Sequence, residues 1–305
     1  MKYDVIVLGS GPGGYVTAIR ASQLGLKTAV VEREALGGIC LNWGCIPTKA
    51  LLKSANVFEY IEHAEDYGIK VGAPKVDFGG MVKRSRAVAE GMSGGVTFLM
   101  KKNNIDVIMG NGKLLPNKKL EVTAADGAVS TLQADHIIVA TGARSRELPS
   151  LPQDGEKVIG YREAMTLKKQ PKKMVVVGSG AIGIEFAYFY NAIGTEVTVV
   201  EYVDRIVPVE DKEVSKQLER TFKKAGIKIK TSSEVTGVDT SGSGCKVTVK
   251  TKKGEETLQC DVVLSAAGVV SNIENIGLEE CDIVHDRGKI MVDDYYATNI
   301  PGYYA

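Results

Sequence analysis

The chain has 305 residues, which predicts two domains or three small ones. Its 38 basic and 37 acidic residues give a formal net charge of +1, so no electrostatic argument favours nucleic acid or an anionic membrane surface as partner. The hydrophobic fraction of 44% is that of an ordinary globular chain, and no apolar run reaches the ~18 residues of a membrane span. Without a signal peptide before the first strand, the five cysteines indicate a cytoplasmic protein.

The first predicted elements form a strand, a glycine-rich turn, a helix and a second strand. An apolar run from Tyr3 to Leu8 leads into three glycines, a helical stretch follows from residue 15 to 24, and a strand at residues 28–31 ends at Glu32. In such a unit the glycines allow the tight turn, the approach of a pyrophosphate and close packing of helix on strand. The acid accepts hydrogen bonds from a ribose. The three glycines are Gly9, Gly11 and Gly14.

Two cysteines, Cys40 and Cys45, follow the first acid. Their spacing matches no common zinc site, and they can be two unrelated buried thiols. In a regular helix their Cα atoms would be roughly 8.6 Å apart, beyond the ~7 Å limit for a disulfide. A bridge therefore requires a distorted segment, for which Gly38 and Gly44 supply backbone freedom. Pro47 predicts that a helix begins close to Cys45.

The middle of the first half is predicted as helical, with strands after it. Helical patterns at residues 50–67 and 81–102 are separated by a Gly- and Pro-containing link, and strands are predicted at 105–109 and 136–140. Thr141 and Gly142 follow the last of these strands. The Pro-bearing segment at 145–171 is predicted as the junction between domains.

The second half repeats the first unit. A strand at residues 174–177 leads into Gly178, Gly180 and Gly183, and a later strand ends at Glu201. Each acid follows its third glycine by 18 residues (14 to 32, 183 to 201). Two copies of one plan predict an α/β fold with two Rossmann-like dinucleotide-binding domains. Because Glu201 would repel a 2′-phosphate, and no arginine occurs at residues 184–200, the second copy is predicted to bind NAD.

The segment from Gly37 to Lys49 resembles the redox-disulfide signature of the pyridine nucleotide-disulfide oxidoreductases, and the resemblance extends from Lys2 to Ala305. It implies that Cys40 exchanges with a dithiol substrate, that Cys45 lies against the flavin as the charge-transfer thiolate, and that Lys49 pairs with Glu185. The positions that it assigns to FAD are Gly9, Gly11, Gly14, Glu32, Gly38, Lys49, Gly112, Thr141 and Gly142. The positions that it assigns to NAD are Gly178, Gly180, Gly183, Glu201, Val235 and Gly268. After Gly268 the chain departs from the family pattern, because Val269-Val270 stands where arginines are usual.

Within the family the chain is most similar to members that oxidise a dihydrolipoyl dithiol with NAD. This resemblance implies an enzyme that serves a 2-oxo acid dehydrogenase complex through its lipoyl domain and is a homodimer at full length. It also implies an FAD domain at residues 1–145, an NAD domain at 146–272, and a return segment at 273–305. The final residues resemble the point at which the family continues into its C-terminal interface domain, so we expect that domain to be missing. We also expect weak FAD binding, because the aspartate that holds the flavin ribityl chain in the family lies just beyond the segment that ends at Ala305, and we expect a largely monomeric chain. Little turnover is expected as well, since no histidine stands in the family's His-Pro motif.

Two other functions remain open at the level of sequence. The same machinery can act on another dithiol or disulfide, as in a related NAD(P)H-dependent disulfide reductase. Alternatively, the chain can bind nucleotides without turnover. No metal site is predicted, because the three histidines, at positions 63, 136 and 285, lie outside any metal-ligand spacing.

Overall fold

A computed structural model describes residues 2–305. The helices are α1 (Pro12–Gln23), α2 (Gly38–Trp43), α3 (Cys45–Glu62), α4 (Phe78–Lys102), α5 (Tyr161–Ala164), α6 (Ala181–Ala192) and α7 (Lys212–Lys224). A 3₁₀ turn covers Ala64–Tyr67. The strands are β1 (Lys2–Leu8), β2 (Thr28–Glu32), β3 (Asp106–Met109), β4 (Asn111–Leu115), β5 (Lys119–Thr123), β6 (Val129–Val139), β7 (Ala143–Ser145), β8 (Val158–Ile159), β9 (Lys173–Val177), β10 (Glu196–Val200), β11 (Lys228–Lys230), β12 (Glu234–Asp239), β13 (Cys245–Thr251), β14 (Gly254–Cys260), β15 (Val262–Ser265), β16 (Val269–Ser271), β17 (His285–Asp286), β18 (Lys289–Ile290) and β19 (Tyr303–Tyr304).

By internal packing the chain forms two units. The first combines the residues up to Cys45 with Val88–Arg144 and Val270–Ala305, and the second combines Ile46–Ala87 with Ser145–Val269. The domain boundaries that the sequence predicts follow the repeat instead, and they stay a prediction. The segment 145–171 is not a bare junction, because β8 and α5 give it regular structure within the second unit.

The first unit is built on a sheet with the order β3-β2-β1-β6-β5-β4. Strands β1, β2, β3 and β6 are parallel, β4 and β5 extend the sheet antiparallel, and β19 adds to β6. Buried aliphatic side chains from these strands form the core, among them Ile6, Val31, Leu120 and Ile137. The continuous apolar runs of β1 and β2 suit parallel strands with both faces covered.

The second unit contains a parallel sheet with the order β11-β10-β9-β15-β8 and an antiparallel sheet β12-β13-β14. Valines dominate the core that includes both sheets, such as Val175, Val200, Val247 and Val263. No helix within residues 2–305 is both long enough and apolar enough to cross a membrane.

Candidate cofactor and dithiol site

The first glycine-rich turn connects β1 to α1. Gly9 has φ +100°, and a Cβ there would lie 2.2 Å from the carbonyl oxygen of Ala140. A Cβ at Gly14 would lie 1.9 Å from the carbonyl oxygen of Gly9, which is why the helix packs so closely on the strand. Around Gly11, by contrast, a Cβ would meet nothing within 4 Å. The turn therefore excludes side chains where it packs and leaves open space where α1 begins.

Glu32, the last residue of β2, is buried, and its carboxylate accepts several hydrogen bonds. Glu32 Oε2 accepts hydrogen bonds from the N–H and the hydroxyl of Ser10, at 2.9 and 2.6 Å. Its Oε1 accepts from the N–H groups of Arg33 and Glu34, at 2.8 and 2.9 Å. A buried carboxylate needs such donors, since its charge is otherwise costly to desolvate. These bonds fix the carboxylate beside the turn, where an ADP ribose would lie.

The second unit repeats this geometry closely. Gly178 has φ +98°, and a Cβ there would lie 2.4 Å from the carbonyl oxygen of Ala266. A Cβ at Gly183 would lie 2.0 Å from the Gly178 carbonyl oxygen, whereas Gly180 has nothing within 4 Å. Glu201 Oε2 accepts from the N–H and the hydroxyl of Ser179, at 2.8 and 2.5 Å. The repeat seen in the sequence is thus a repeat of turn, helix start and acid.

A cavity of about 640 Å³ opens beside the second turn. This volume lies in the range of small-molecule sites. Among its lining residues are Gly178, Gly180, Glu201, Val235 and Gly268. Gly183 is not among them, because it lies where α6 packs on the turn.

The cavity also includes residues that the sequence did not single out, namely Arg146, Leu148, Ser150, Ser179, Tyr202 and Ser233, together with Val269, where the chain departs from the family pattern. Arg205, the first arginine after the acid, does not line it, since its guanidinium contacts Asp204 at 3.1 Å and the Pro208 carbonyl oxygen at 2.9 Å. The only sequence signal for Ser179, and for Ser10 in the first turn, was that both turns contain the sequence Gly-Ser-Gly.

The two cysteines lie on either side of a helix break. Helix α2 carries Cys40 and ends at Trp43, Gly44 follows it, and α3 begins at Cys45. A Cβ at Gly44 would lie 3.3 Å from the Cys40 Cα atom, so the break brings the chain back close to Cys40. The distorted segment and the helix start that the sequence predicts are both found. All five cysteines are thiols in this structure, Cys40 half-buried and Cys45 exposed, and the Cys40–Cys45 disulfide stays a prediction.

The cysteine segment begins against the first glycine-rich turn. The N–H of Gly37 donates to the Ser10 carbonyl oxygen at 3.0 Å. A Cβ at Gly38, which has φ +60°, would lie 2.6 Å from the Gly11 Cα atom. These contacts place the start of the cysteine segment beside the glycine-rich turn for which the sequence predicts FAD binding.

Three further residues assigned to FAD lie around the same turn. A Cβ at Gly112, on β4, would lie 2.4 Å from Leu8 Cδ1, at the end of β1. The Thr141 Cα atom is 3.2 Å from the position that a Gly9 Cβ would take. Asn272 binds the carbonyl oxygens of both Thr141 and Gly142, at 3.0 and 2.9 Å. Their roles in binding FAD stay predictions.

Lys49 and Glu185 form an ion pair within the second unit. Lys49 lies one turn after Cys45 on α3, and Glu185 lies on α6. The same two helices make a second polar contact, in which the Tyr188 hydroxyl donates to Glu59 Oε2 at 2.5 Å and accepts from the Asn56 amide. Burial and then Glu59 raise the Tyr188 pKa, which keeps the hydroxyl protonated. The sequence spacing alone could not show that Lys49 and Glu185 meet.

The residues present fit two dinucleotides. Each helix start lacks acidic residues in its first turn and has no side-chain cap, so its N–H groups can face a pyrophosphate. Near each helix start lies a carboxylate, Glu32 or Glu201, that is fixed by hydrogen bonds and could bind a ribose. Among residues 2–305 no cluster of metal-ligating side chains occurs.

The chain is similar in sequence and in structure to known proteins. The family model described as pyridine nucleotide-disulphide oxidoreductase matches residues 3–305. The chain is 48% identical over 320 residues to a dihydrolipoyl dehydrogenase of Rhizobium etli, covering 100% of this chain and 66% of that protein. It is 47% identical to a dihydrolipoyl dehydrogenase of Zymomonas mobilis, covering 98% and 64%. The crystal structure of LpdA from Mycobacterium tuberculosis matches with a TM-score of 0.91 and 31% identity, covering 99% and 66%.

The chain spans about two thirds of the length of these relatives. The family and its dihydrolipoyl dehydrogenases use FAD and NAD, which confirms the two cofactors predicted from the sequence. The α/β class and the family resemblance are likewise confirmed. With the match covering nearly every residue, the chain belongs to the pyridine nucleotide-disulphide oxidoreductase family.

Proposed function

We propose that the protein is a dihydrolipoyl dehydrogenase, which oxidises protein-bound dihydrolipoamide and uses NAD as the acceptor. The observation that carries this proposal is the pair Cys40 and Cys45 across the Gly44 break, on a segment that begins against the first glycine-rich turn. The dihydrolipoyl dehydrogenases at 47% and 48% identity support the choice of substrate.

In this proposal the oxidised enzyme carries a Cys40–Cys45 disulfide. A substrate thiolate attacks the Cys40 sulfur, so a mixed disulfide forms and Cys45 leaves as a thiolate. The second substrate thiol then attacks the sulfur bound to Cys40, which closes the cyclic disulfide of lipoamide and returns Cys40 as a thiol. Two electrons pass from substrate to enzyme, and the two substrate protons go to the enzyme thiols or to water. FAD, when bound, supplies the route by which this electron pair reaches NAD as hydride.

The two cysteines differ in a way that suits these roles. Cys45 is the first residue of an 18-residue helix, whose N-terminal end favours negative charge. Cys40 belongs to the short helix before it and is half-buried. Lys49, one turn further along α3, is held by Glu185, so its ammonium group is kept in place by an ion pair.

On the nicotinamide side, Glu201 is fixed by Ser179 and by the N–H of Val203 at 3.0 Å. A carboxylate in that position binds a ribose diol and repels a 2′-phosphate. Arg205 is engaged by Asp204 and Pro208, which leaves no cation from that segment for a phosphate.

The test is a comparison of steady-state rates with dihydrolipoamide, glutathione and other dithiols, with NAD as acceptor or NADH as donor. Preference for dihydrolipoamide supports the proposal, and preference for another dithiol indicates a related disulfide reductase. Cys40→Ser and Cys45→Ser should each abolish turnover while leaving NADH binding intact. Bound flavin that NADH does not bleach would indicate a protein that binds nucleotides without turnover.

The partners and the compartment belong to the same proposal. A dihydrolipoyl dehydrogenase acts on the lipoyl domain of a 2-oxo acid dehydrogenase complex, and we propose this domain as the partner, with the full-length protein a homodimer. We also propose a cytoplasmic location. Turnover of an isolated lipoyl domain carrying a reduced lipoyl group, compared with free dihydrolipoamide, tests the partner directly.

A further inference from the structure

Two buried cysteines of the second unit take no part in the chemistry above. Cys245 begins β13 and Cys260 ends β14, and the antiparallel register of the two strands places them directly opposite each other. Directly opposed residues in an antiparallel pair have Cα atoms about 4.5–5.5 Å apart. Disulfide-bonded cysteines have Cα atoms about 4.4–6.8 Å apart, so the backbone already meets the requirement for a bridge.

The two side chains also lie in the same hydrophobic core cluster. A hydrogen bond between the two thiols affects the pKa of each. The Cys245 Sγ atom lies 3.8 Å from the Lys157 carbonyl oxygen and 3.7 Å from that of Asp261. Both thiols are buried, 2% and 7% exposed, in the core between the two sheets.

Their surroundings make the two thiols unequal. Burial raises the pKa of both, that of Cys260 to about 12. The pKa of Cys245 is brought back down in part by the hydrogen bond from Cys260 and by the charge of Lys157. These two offsets favour Cys245 as the attacking thiol of the pair.

We propose that Cys245 and Cys260 are a second dithiol site, which a small-molecule disulfide converts into a cross-strand disulfide between β13 and β14. The Cys245 thiolate attacks the reagent, forming a mixed disulfide and releasing one reagent thiolate. The Cys260 thiolate then attacks the Cys245 sulfur, closing the protein bridge and releasing the second reagent thiol. Two protein thiols are oxidised and one reagent disulfide is reduced to two thiols.

The bridge has a consequence for the NAD-binding unit. It closes a loop of 14 residues, 246 to 259, and so restricts the unfolded chain. Strand β13 also pairs with β12, which carries Val235 at the wall of the cavity. Oxidation of this pair therefore stabilises the sheet that borders the NAD cavity.

The test uses the chain with Cys40→Ser and Cys45→Ser, which removes the first pair. Incubation with 4,4′-dithiodipyridine should release two equivalents of 4-thiopyridone from Cys245 and Cys260 over hours, because the thiols are buried, and at most one more from Cys281. Peptide mapping should find Cys245 linked to Cys260, and the Tm should rise by several degrees and return on reduction. Cys245→Ala and Cys260→Ala should each abolish the link and the rise.

Cys281→Ala is the matched control, because Cys281 is buried but has no cysteine opposite it in the sheets. This variant should keep both the Cys245–Cys260 link and the shift in Tm. The mapping on the parent chain needs neither alanine variant to fold. Treated protein in which both thiols remain alkylatable after unfolding, or in which they are linked to other partners, overturns the proposal.

Discussion

Ser10 and Ser179 make the same pair of hydrogen bonds, one in each unit. Each donates its backbone N–H and its hydroxyl to one carboxylate oxygen of the acid that ends the following strand. Both acids, Glu32 and Glu201, are 8% exposed, so most of the solvation of their charge has been replaced by protein donors. The serines therefore act as positioning residues, which hold each acid beside its glycine-rich turn.

Ser179→Ala should weaken NADH binding by about tenfold or more, because a hydrogen bond to a charged group is worth about 1.5–3 kcal/mol, although the bond from the Ser179 N–H remains. FAD binding should be unchanged. Ser10→Ala is the matched control, since it should weaken FAD binding and leave NADH binding alone. Calorimetric titration of each cofactor measures both. Equal losses for the two cofactors in either variant would contradict the assignment of one serine to each site.

Glu201→Gln should lower the affinity for NADH by about tenfold and narrow the preference for NADH over NADPH. The amide keeps the size of the side chain but loses the charge that binds the diol and repels a 2′-phosphate. The measurement is the ratio of the two dissociation constants by fluorescence titration. A ratio that does not change would show that Glu201 does not select the cofactor.

The turn, helix start and acid form one element whose glycines are not equivalent. Gly183 lies against the carbonyl oxygen of Gly178, whereas Gly180 faces open space. Gly183 is needed for the packing of the helix on the turn, whereas Gly180 leaves room for a ligand. A sequence pattern of three glycines cannot distinguish these roles, but the structure can.

Gly183→Ala should destabilise the second unit by about 3 kcal/mol or more, because the added Cβ would meet a backbone oxygen at 2.0 Å that cannot move aside easily. Gly180→Ala should change stability by no more than about 1 kcal/mol. It should nevertheless weaken NADH binding, since the methyl group would enter the space beside the helix start. Chemical denaturation and NADH titration of the two variants separate the effects. Equal loss of stability in both would contradict this division.

The turn before β8 should contribute a pH-dependent part of stability. Burial raises the pKa of Asp154, but the backbone hydrogen bonds together lower this pKa by more than burial raises it. The pKa of Asp154 therefore lies below its ordinary value. Asp154 Oδ1 accepts from the N–H groups of Glu156, Lys157 and Val158, at 2.8, 2.7 and 2.9 Å. A lowered pKa means that this stabilisation is complete above the ordinary value, about 3.9, and is lost as the pH falls through the folded-state value.

Asp154→Asn should therefore lower the Tm by a few degrees at pH 7, and the difference from the wild type should shrink as the pH falls below about 4. The reason is that the protonated carboxyl loses the advantage of its charge in binding three N–H groups. Thermal unfolding followed by circular dichroism from pH 3 to pH 7 gives both curves. Curves that stay parallel over this range would show that Asp154 contributes no such term.

The elements that the sequence predicted were those with a strong local pattern. The apolar runs at β1, β2, β9 and β10 and the glycines between them located both glycine-rich turns. The antiparallel sheet β12-β13-β14 was missed, although β13 alternates buried and exposed residues. Its three strands are consecutive in the chain and pair as hairpins, with Thr251 opposite Gly254, so the alternation at β13 was a local signal that the sequence interpretation did not use. The contacts between α3 and α6 were out of reach for a different reason, because these two helices are distant in sequence.

At the scale of the whole chain, the 305 residues span about two thirds of the length of the dihydrolipoyl dehydrogenases of Rhizobium etli and Zymomonas mobilis. It contains the two glycine-rich turns and the cysteine segment, but none of its three histidines is followed by proline. The family resemblance assigns the acid–base role to a histidine in such a pair.

We therefore expect the 305-residue chain to oxidise dihydrolipoamide at least ~10²-fold more slowly than the full-length Zymomonas relative, since loss of a general base alone removes about 10²–10⁴ in rate. Transfer of electrons from NADH to bound flavin should survive, because it does not need that base. Both are measured by absorbance, the first as NADH formation and the second as flavin bleaching. Comparable dihydrolipoamide rates would show that the chain supplies its own base.

The pairing of β19 with β6 has a consequence for the order of events during synthesis. Tyr303 and Tyr304 pair with Ile137 and Ile138, so the last residues of the chain complete a sheet whose first strand is made at the start. The parallel sheet of the second unit ends at Ser265 and has all its strands about 40 residues earlier. On the ribosome, the parallel sheet of the second unit can therefore close first. The sheet of the first unit begins with the earliest strand of the chain, but it is complete only after Tyr304 has emerged.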